Sequence, residues 1–373
     1  MVARFNVLLT CMGGHGALTL LEDFKRASIA REINFIGTHL DKFLLSRSPE
    51  KTNYLVPSAL KEPTAYIATT KKIIEKENID LIIPKSDAEV KVLYPISGQL
   101  GCNTFLPDGK EIEGTQDKYA FFSILNTSGV PVADTRHIKS IGEIKDHLNS
   151  LPKVEDRYWL RVKTAGTAGA YGATWVRDEP EAVDWINAFV EKESVSVDEF
   201  ILSEFLPGRL FECLVLFRQG KLKLAKVYEN LRFADGGDPQ NYGVGSTPDV
   251  ARTASDSLAR RALLNAISAV ERASLSLGTS PNGVYHMSAK ENAKGEPCIT
   301  EVNIGRTPST VSIFNRTGKY NLAEYFLNYA LGLEIEDPKP EIDIPKKEIY
   351  AIRSLDQNLS LITTKGISSI QEI

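Results

Sequence analysis

Residues 299–306 (ITEVNIGR) bring a carboxylate, a carboxamide and a guanidinium close together in the chain. Because side chains alternate along a strand, Glu301 and Asn303 would share one face of the strand predicted here. Two oxygen ligands about 7 Å apart suit a Mg²⁺ that also takes phosphate oxygens. Arg306 follows closely and could offer a fork of donors to a phosphate or a carboxylate. Taken alone, the stretch could equally be a strand that ends in a polar loop.

A glycine-rich segment lies upstream, at residues 161–173 (RVKTAGTAGAYGA). Its pattern predicts a strand with two cations, Arg161 and Lys163, that opens into a loop of small residues. Glycines let a backbone approach an anion closely, and successive backbone N–H groups form an anion-binding concavity. The segment is not a GxxxxGK[ST] phosphate loop, because no lysine follows its last glycine. A plain flexible turn would also account for it.

Between these segments, residues 203–212 (SEFLPGRLFE) predict a strand that ends at Glu204, turns at Pro207 and Gly208, and then resumes. On its own this is an ordinary strand–turn–strand. The polar, glycine-rich residues 235–248 predict a surface loop of the kind that often carries function.

The N-terminal third of the chain predicts an α/β unit. Residues 6–11 (NVLLTC) and 79–84 (IDLIIP) are continuous apolar runs, typical of parallel strands buried on both faces. Helical patterns alternate with such runs, which favours a βαβ sheet over about residues 1–110. Glycines follow the first run at 13–16, but Leu18 breaks the GxGxxG spacing. An NAD(P)-dependent oxidoreductase is therefore a weaker competing hypothesis, and a tight βα turn explains the glycines equally well.

Composition limits the classes of function. The chain has 373 residues, 42% of them hydrophobic and 25% charged, which fits a globular protein of two or three packed units. A net charge of −4 gives no sequence-wide basic field for nucleic acid or an anionic membrane. No segment approaches the roughly 20 apolar residues that span a bilayer. The four cysteines lie far apart and predict neither a disulfide framework nor a zinc site. We therefore expect a cytoplasmic protein without nucleic-acid or membrane partners.

Taken in chain order, these segments resemble the ATP-grasp superfamily, particularly its carboxylate–amine ligases and the half-modules of carbamoyl-phosphate synthase. Partial motifs in the right order over more than half of the chain are more specific than any one of them. The segments that carry the resemblance are 117–131 (beginning DK and ending GVP), 161–172, 204–208 (EFLPG), 245–248 (GSTP) and 295–306.

The resemblance implies an α/β fold with α+β subdomains in the grasp. Residues 1–112 would form a Rossmann-like pre-domain, and residues 113–336 an ATP-grasp domain. The latter would divide into 113–203, which includes the flexible lid, and 204–336. Residues 337–373 would form a C-terminal tail. The implied cofactors are ATP and Mg²⁺, with Mn²⁺ as an alternative metal.

The resemblance also implies a role for each candidate site residue. Cations would bind the ATP phosphates, namely Lys118 and Arg161, with Lys163 as a substitute. Residues of the hinge would contact the rest of the nucleotide: Glu204, Phe205 and Leu206 the adenine, and Glu212 the ribose. Mg²⁺ would be held by Glu301 and Asn303. Arg306 and Arg161 would be the catalytic residues, with Arg306 on the γ-phosphate or the acyl phosphate.

Two departures from the family pattern favour an alternative. Ser288 stands 13 residues before Glu301, where the family has an acidic or amide metal ligand, and a hydroxyl is a poor Mg²⁺ ligand. One residue more than usual separates Asn303 from Arg306. Both departures fit a non-catalytic or altered nucleotide-binding regulator that keeps the fold.

The implied reaction has two steps. A carboxylate attacks the γ-phosphate of ATP, and an amine then displaces phosphate from the acyl phosphate to give an amide. Phosphoryl transfer needs positioning and charge neutralisation, which cations and metal ligands supply without a nucleophilic side chain. Closure of the loop at 164–173 would exclude water from the acyl phosphate. The expected partners are a small-molecule carboxylate, an amine, and a second copy of the chain in a homodimer.

Overall fold

The computed structural model describes residues 4–164, 172–233, 248–306, 312–353 and 360–363. Three β-sheets organise this part of the chain, with five, four and seven strands. The lid loop predicted at 164–173 and the surface loop predicted at 235–248 lie almost entirely outside the described residues. Within the described ranges, no helix is long and apolar enough to cross a membrane.

The first sheet is parallel, with the strand order β3-β2-β1-β4-β5. Its elements, in chain order, are β1 (Phe5–Leu9), α1 (His15–Phe24), β2 (Ile33–His39), α2 (Lys42–Leu45), β3 (Asn53–Leu55), α3 (Pro63–Glu77), β4 (Leu81–Ile83), α4 (Asp87–Leu93) and β5 (Asn103–Thr104). Most residues of β1 and all of β4 are buried, as their continuous apolar runs predict. The strand order reverses between β1 and β4, the position where α/β sheets open a crevice at the carboxyl ends of their strands.

A tight turn follows β1. Gly13 has a φ of +87°, and a Cβ atom at this position would lie 1.8 Å from the carbonyl oxygen of Leu44. Only glycine fits such a turn without a clash. The turn itself therefore accounts for this glycine, and no bound dinucleotide is needed to explain it.

The second sheet is antiparallel, with the order β6-β9-β7-β8. Two helices, α5 (Gly109–Gln116) and α6 (Lys118–Thr127), separate it from the first sheet in the chain. The elements that follow are β6 (Thr135–His137), α7 (Ile144–Ser150), β7 (Tyr158–Val162), β8 (Ala173–Val176), α8 (Glu179–Glu193) and β9 (Phe200–Glu204). Leu160, Ile186 and Phe200 are fully buried in a core that this sheet shares with its own two helices, α7 and α8.

The third sheet has the order β14-β13-β10-β11-β12-β15-β16 and is antiparallel throughout. Its elements are β10 (Leu210–Arg218), β11 (Lys221–Phe233), β12 (Pro248–Thr253), α9 (Ser257–Leu277), β13 (Gly283–Glu291), β14 (Pro297–Ile304), α10 (Ile313–Arg316), α11 (Leu322–Ala330), β15 (Ile349–Ile352) and β16 (Ser360–Thr363). The long helix α9 begins at the capping residue Asp256 and ends at Gly278, which adopts the left-handed conformation.

The two faces of the third sheet have different neighbours. Cys213 and Val215 of β10 share a core with the buried stripe of α9. Leu214 and Leu216, on the opposite face, share a core with residues of α1 and α11. The face that carries the even-numbered residues of β10 therefore turns toward the N-terminal unit.

Polar contacts fasten the N-terminal unit and the C-terminal segment to this sheet. Asp23 of α1 is buried and accepts hydrogen bonds from Asn315 at 2.7 Å and Arg316 at 2.9 Å. Burial raises the pKa of Asp23, and these donors oppose the rise. Farther along the chain, Asp343 pairs with the buried Lys226 of β11 at 2.9 Å. The segment predicted as a tail thus packs on the third sheet and adds strands to it, while the boundary at residue 337 stays a prediction.

Candidate functional site

Strand β14 carries the predicted metal ligands on one face. Glu301 lies opposite Ser288 of β13, and Asn303 lies opposite His286. The Glu301 side chain is partly buried and makes no hydrogen bond or ion pair with any described residue. Nowhere in the described ranges do three histidine, cysteine, aspartate or glutamate side chains group around a metal position. A cation here would therefore rely on Glu301, the Asn303 amide oxygen and water.

Two of the predicted phosphate-binding cations meet beside Glu301. Lys118 is the first residue of α6, and its backbone N–H donates to the Lys163 carbonyl at 2.8 Å, which joins the helix to the end of β7. Burial lowers the pKa of Lys118, while Glu301 opposes this and Arg161 lowers the pKa further. Burial also lowers the pKa of Arg161, again opposed by Glu301. The three side chains share one electrostatic environment although they come from three separate elements.

Arg161 is fixed by the strand that holds Glu301. Its Nη2 donates to the Thr300 carbonyl at 2.5 Å, and its guanidinium lies 5.3 Å from the centre of the Phe122 ring. Its Nε is buried and finds no hydrogen-bond acceptor among the described residues. An unpaired buried donor costs about 1–3 kcal/mol. This orphaned N–H indicates that the site is built to receive an acceptor, such as a phosphate oxygen, that the chain itself does not supply.

The side chain of Lys163 contacts different residues from that of Arg161. Its Nζ lies 3.2 Å from Nε2 of His137 and 3.8 Å from Oδ2 of Asp117. These contacts place it beside the start of α6. Its use as a substitute for Arg161 stays a prediction, because none of these neighbours is Glu301.

The predicted hinge starts at Glu204, the last residue of β9. The Glu204 N–H donates to the Asp134 carbonyl at 2.9 Å, and its Oε1 accepts from the Asp134 N–H at 3.1 Å. Both interactions fasten the hinge to the segment just before β6. One carboxylate oxygen of Glu204 is thus engaged, and its predicted contact with adenine would have to use the other oxygen.

The next hinge residues form an apolar wall. Leu206 packs with Ala133 and Cys298 in a small buried cluster. Its backbone N–H is unpaired within the described ranges. Phe205 is buried, with the cations of Arg157 and Lys290 each 5.3 Å from its ring centre. An apolar surface beside a free backbone donor is the arrangement that a flat heterocycle with a ring acceptor can use.

Glu212 is drawn into a buried cluster on β10. Its Oε1 accepts from Nδ2 of Asn230 at 2.9 Å, and its Oε2 accepts from Oγ of Ser288 at 2.9 Å. Because Ser288 lies opposite Glu301, the carboxylate of Glu212 reaches toward the metal face. The ribose contact suggested for Glu212 stays a prediction.

Arg306 spans two units of the chain. Its Nε donates to Oδ1 of Asp87 at 2.7 Å, and its Nη2 donates to Oδ1 of Asn303. The amide oxygen predicted to bind metal is therefore engaged by a guanidinium in this structure. Metal binding at Asn303 would require Arg306 to release that oxygen.

Three polar residues near the site are not among the site residues predicted from the sequence. Asp87 follows the buried strand β4, and a polar residue after a parallel strand is a signal for the crevice at the sheet edge. His286 and Asn230 sit among apolar residues of β13 and β11, and only the strand register brings them to Glu212. No signal in the sequence would have singled them out.

Among known proteins, this chain is similar to solved structures. Scans against protein-family models and against curated proteins find no match. Similar structures include the biotin carboxylase domain dimer of the Hydrogenobacter thermophilus 2-oxoglutarate carboxylase, in complex with MgADP, ADP and bicarbonate. That likeness has 16% identity and a TM-score of 0.69, and covers 94% of this chain and 74% of that one.

Two further structures support the same fold. The L-amino acid ligase of Bacillus licheniformis is 14% identical, with a TM-score of 0.70 over 96% of this chain and 82% of that one. The N5-carboxyaminoimidazole ribonucleotide synthetase of Thermus thermophilus is 15% identical, with a TM-score of 0.66 over 95% and 84%. At these identities the likeness establishes architecture and not reaction. The chain has the ATP-grasp fold, which confirms the fold class and, at the level of the fold, the ATP-grasp resemblance inferred from the sequence. The likeness to the half-modules of carbamoyl-phosphate synthase stays a prediction.

Proposed function

We propose that this chain is an ATP- and Mg²⁺-dependent ligase that joins a carboxylate to an amine through an acyl phosphate. The proposal rests on one observation: the side chains of Lys118, Arg161 and Glu301 lie close enough to interact electrostatically in the ATP-grasp fold. MgADP is bound in one of the similar structures, and another is an L-amino acid ligase. The proposed reaction class is inferred from these proteins.

The adenine would lie against the hinge. The unpaired N–H of Leu206 would donate to a ring nitrogen, and the small apolar cluster that it forms with Ala133 and Cys298 would cover one side of the ring. The free oxygen of Glu204 would accept from the exocyclic amine. The hinge backbone is held in place through Asp134, so little reorganisation is needed on binding.

The triphosphate would lie toward Lys118 and Arg161. Both cations are substantially buried, and a buried cation interacts more strongly with a phosphate than an exposed one does. The orphaned Nε of Arg161 would gain its missing acceptor. Removal of this residue should therefore weaken nucleotide binding as well as catalysis.

The donor set at β14 fits Mg²⁺. Glu301 offers a carboxylate without a described partner, and Asn303 offers an amide oxygen, both of the hard type that Mg²⁺ prefers. When bound, Mg²⁺ supplies charge neutralisation on the phosphates and orients them for attack. Ser288 adds only a hydroxyl, so the remaining positions would be filled by water and phosphate oxygens. Arg306, once released from Asn303, would be free to contact the transferred group.

The residues of this site would act by binding and charge neutralisation. Lys118 and Arg161 would offset the charge that shifts from the γ-phosphate to the leaving oxygen, and Arg306 would hold the acyl phosphate for the amine. None of them needs to act as a nucleophile. The loop predicted to exclude water, at 164–173, lies almost entirely outside the described residues.

The test is an ADP-release screen with pairs of amino acids and carboxylates, with and without EDTA, followed by mass spectrometry of the product. We expect Mg²⁺-dependent ADP release that needs both substrates, and its loss in Glu301→Gln. The exposed Glu271 of α9 provides the matched control, because Glu271→Gln makes the same chemical change on a solvent-exposed helix position. An unchanged rate in Glu301→Gln would remove the metal assignment, and no ADP release with any pair would remove the ligase proposal.

A nucleotide-binding regulator is the second candidate. Two features favour it: Ser288 stands at the position of the usual metal ligand, and Arg306 donates a hydrogen bond to Oδ1 of Asn303. Such a protein would bind ATP in EDTA without turnover, which isothermal titration calorimetry would detect.

A homodimer is also part of the proposal, since the similar biotin carboxylase domain is a dimer. Light scattering after size-exclusion chromatography tests it.

A further inference from the structure

Lys85 follows β4 and lies beside the turn after β1. Its backbone N–H donates to Oγ1 of Thr10 at 2.9 Å and to Oε2 of Glu89 at 3.1 Å. The strand order reverses between β1 and β4, and α/β sheets bind their ligands in the crevice that opens at such a reversal. Lys85 therefore stands where the first sheet would be expected to receive a ligand.

The carboxylate of Glu89 holds this segment in place. Glu89 is buried, and its Oε2 also accepts from Oγ1 of Thr10 at 2.6 Å and from the N–H of Ser86 at 3.1 Å. Its Oε1 accepts from the hydroxyl of Tyr66 at 3.3 Å. A buried carboxylate needs such partners, and Glu89 finds them within the chain. It thereby fixes the backbone from which the side chain of Lys85 extends.

Lys85 and Arg306 are neighbouring cations, although they come from different units of the chain. Burial and the charge of Arg306 lower the pKa of Lys85 to about 7. Asp87 opposes this fall, and it also opposes the fall in the pKa of Lys118. Asp87 accepts in addition from Nε of Arg306 at 2.7 Å. The crevice of the first sheet thus adjoins the cations that are proposed to bind the ATP phosphates.

This place is partly open to solvent and costly to maintain. The side chains of Arg306 and Asp87 are 22% and 25% exposed, and Lys85 is partly exposed as well. A lysine whose pKa falls on folding lowers stability at neutral pH, because the folded state disfavours its charged form. Strongly shifted pKa values are typical of functional sites, where stability is given up for activity. These properties favour a functional role for Lys85 over a structural one.

An attacking carboxylate is the ligand that suits such a cation. In the first step of the proposed reaction, a carboxylate oxygen forms a bond to the γ-phosphorus, the bond to the β,γ-bridging oxygen breaks, and ADP leaves with the electron pair. Both reactants are anions, so a cation beside the carboxylate would reduce their repulsion and hold the attacking oxygen in line. Arg306 is proposed to contact the transferred group, and Lys85 adjoins Arg306. The anion next to the transferred group in this step is the carboxylate.

We propose that Lys85 binds the carboxylate substrate in the crevice between β1 and β4, so that the N-terminal unit places the attacking oxygen beside Arg306. This inference rests on the proposed ligase function and adds to it the residue that recognises the carboxylate. Because recognition depends on one ammonium group, the neutral amide of the same acid should bind poorly.

The experiment compares Lys85→Met with wild type in the ADP-release assay, using the carboxylate and amine found active in the screen. We expect KM for the carboxylate to rise at least about tenfold, as for the loss of a hydrogen bond to a charged group. KM for MgATP and for the amine should stay within about twofold. The Tm of Lys85→Met at pH 7 should be no lower than that of wild type, because methionine carries no charge into the folded state.

Matched controls separate recognition from folding. Lys91 of α4 is exposed, and Lys91→Met makes the same chemical change on the same helix that follows β4. All three KM values should stay within about twofold of wild type in this control. MgADP affinity, measured by titration calorimetry, should be the same in both variants and wild type. Should Lys85→Met fold poorly, Lys85→Gln takes its place with the same expectations.

The outcomes distinguish the two proposals. Wild-type turnover with an unchanged carboxylate KM in Lys85→Met would overturn the carboxylate site and leave the ligase intact. A rise confined to the KM for MgATP would assign Lys85 to the nucleotide, and a loss confined to kcat would assign it to a later step, so either would overturn the proposal as well.

The ligase function itself fails if wild type releases no ADP. The carboxylate site is then judged by thermal shift with acetate, lactate and succinate, each compared with its neutral amide. A larger rise in Tm for wild type than for Lys85→Met, seen with the acids and not with the amides, would support the site. Equal shifts in the two proteins would overturn it.

Discussion

Arg306 donates from its Nε to Oδ1 of Asp87 across 2.7 Å, and so fastens the end of β14 to the first turn of α4 in the N-terminal unit. Both side chains are only about one quarter exposed, at 22% and 25%, so solvent screens this pair less than a surface ion pair. The same guanidinium holds the amide oxygen of Asn303. The position of the proposed catalytic arginine therefore depends on a residue outside the grasp.

This dependence can be measured with a double-mutant cycle. Arg306→Ala should lower kcat by about 100- to 1000-fold, as expected when one donor to a developing charge is removed. Asp87→Ala should cost less, about tenfold, because Arg306 is retained but loses its orientation. If Asp87 acts through Arg306, the double variant should be no slower than Arg306→Ala. Losses that simply add would show that Asp87 has a separate role.

Ser288 offers a test of the metal face. Its hydroxyl lies 2.9 Å from Glu212 and opposite Glu301, so Ser288→Asp would bring three carboxylates together. We expect a lower Tm than wild type in EDTA and a larger gain in Tm on adding MgADP, because the metal relieves the repulsion. Ser288→Ala is the control and should gain no more than wild type. A gain in Ser288→Asp no larger than that of wild type would contradict a metal at this face.

Much of the fold could be predicted from the sequence, and the reason is physical. The strands β1 and β4 are buried on both faces, so their apolar character is continuous and marks them as parallel strands. Arg161 and Glu301 stand out from local pattern, but Lys118, which lies beside them, could be named only through the family resemblance. Arg161 and Thr300 are hydrogen-bonded partners 139 positions apart, and nothing local in either segment specifies the other.

The meeting of Glu212, Asn230, His286 and Ser288 in one buried polar cluster could not be predicted from the sequence. Its members are single polar residues within strands of mostly buried residues, and their meeting depends on the register of β10 against β11 and β13. A shift of one residue would send each side chain to the opposite face. Register of this kind is set by the packing of the whole sheet, which a single sequence does not display.

Lys85 should give the stability of the protein a distinct pH dependence. It follows β4, and burial lowers its pKa to about 7, with Arg306 adding to the effect. In the unfolded chain a lysine has a pKa of about 10.4, so between about pH 7 and pH 10 the unfolded state binds more protons and stability rises with pH. The slope attributable to Lys85 is up to about 1.4 kcal/mol per pH unit. Lys85→Met should lack it.

The comparison is the free energy of unfolding in urea for wild type and Lys85→Met, measured at intervals across that range. The difference between the two proteins should favour the variant most near pH 7 and shrink as pH rises. Titrations of other groups cancel in the difference as long as they are common to both proteins. A difference that stays constant across the range would show that Lys85 keeps an ordinary pKa.

The pair Lys226–Asp343 tests whether the C-terminal segment is a dispensable tail. The two side chains are 2.9 Å apart and almost fully buried, at 2% and 8% exposed. Nζ of Lys226 also donates to the Thr317 carbonyl at 2.7 Å. Burial lowers the pKa of Lys226, and Asp343 opposes this. Asp343→Ala would leave a buried ammonium without its counter-ion, so we expect a loss of about 3–5 kcal/mol in the free energy of unfolding.

The double variant Lys226→Met with Asp343→Leu is the control, because it removes both charges and restores apolar contacts. Its stability should lie within about 1–2 kcal/mol of wild type, since exchanging a buried ion pair for apolar residues is often close to neutral. Urea unfolding followed by far-UV circular dichroism and by tryptophan fluorescence measures both values. A loss below about 1 kcal/mol in Asp343→Ala would mean that the segment after residue 336 contributes little, in keeping with a detachable tail. A large loss that the double variant recovers would make this segment an integral part of the third sheet.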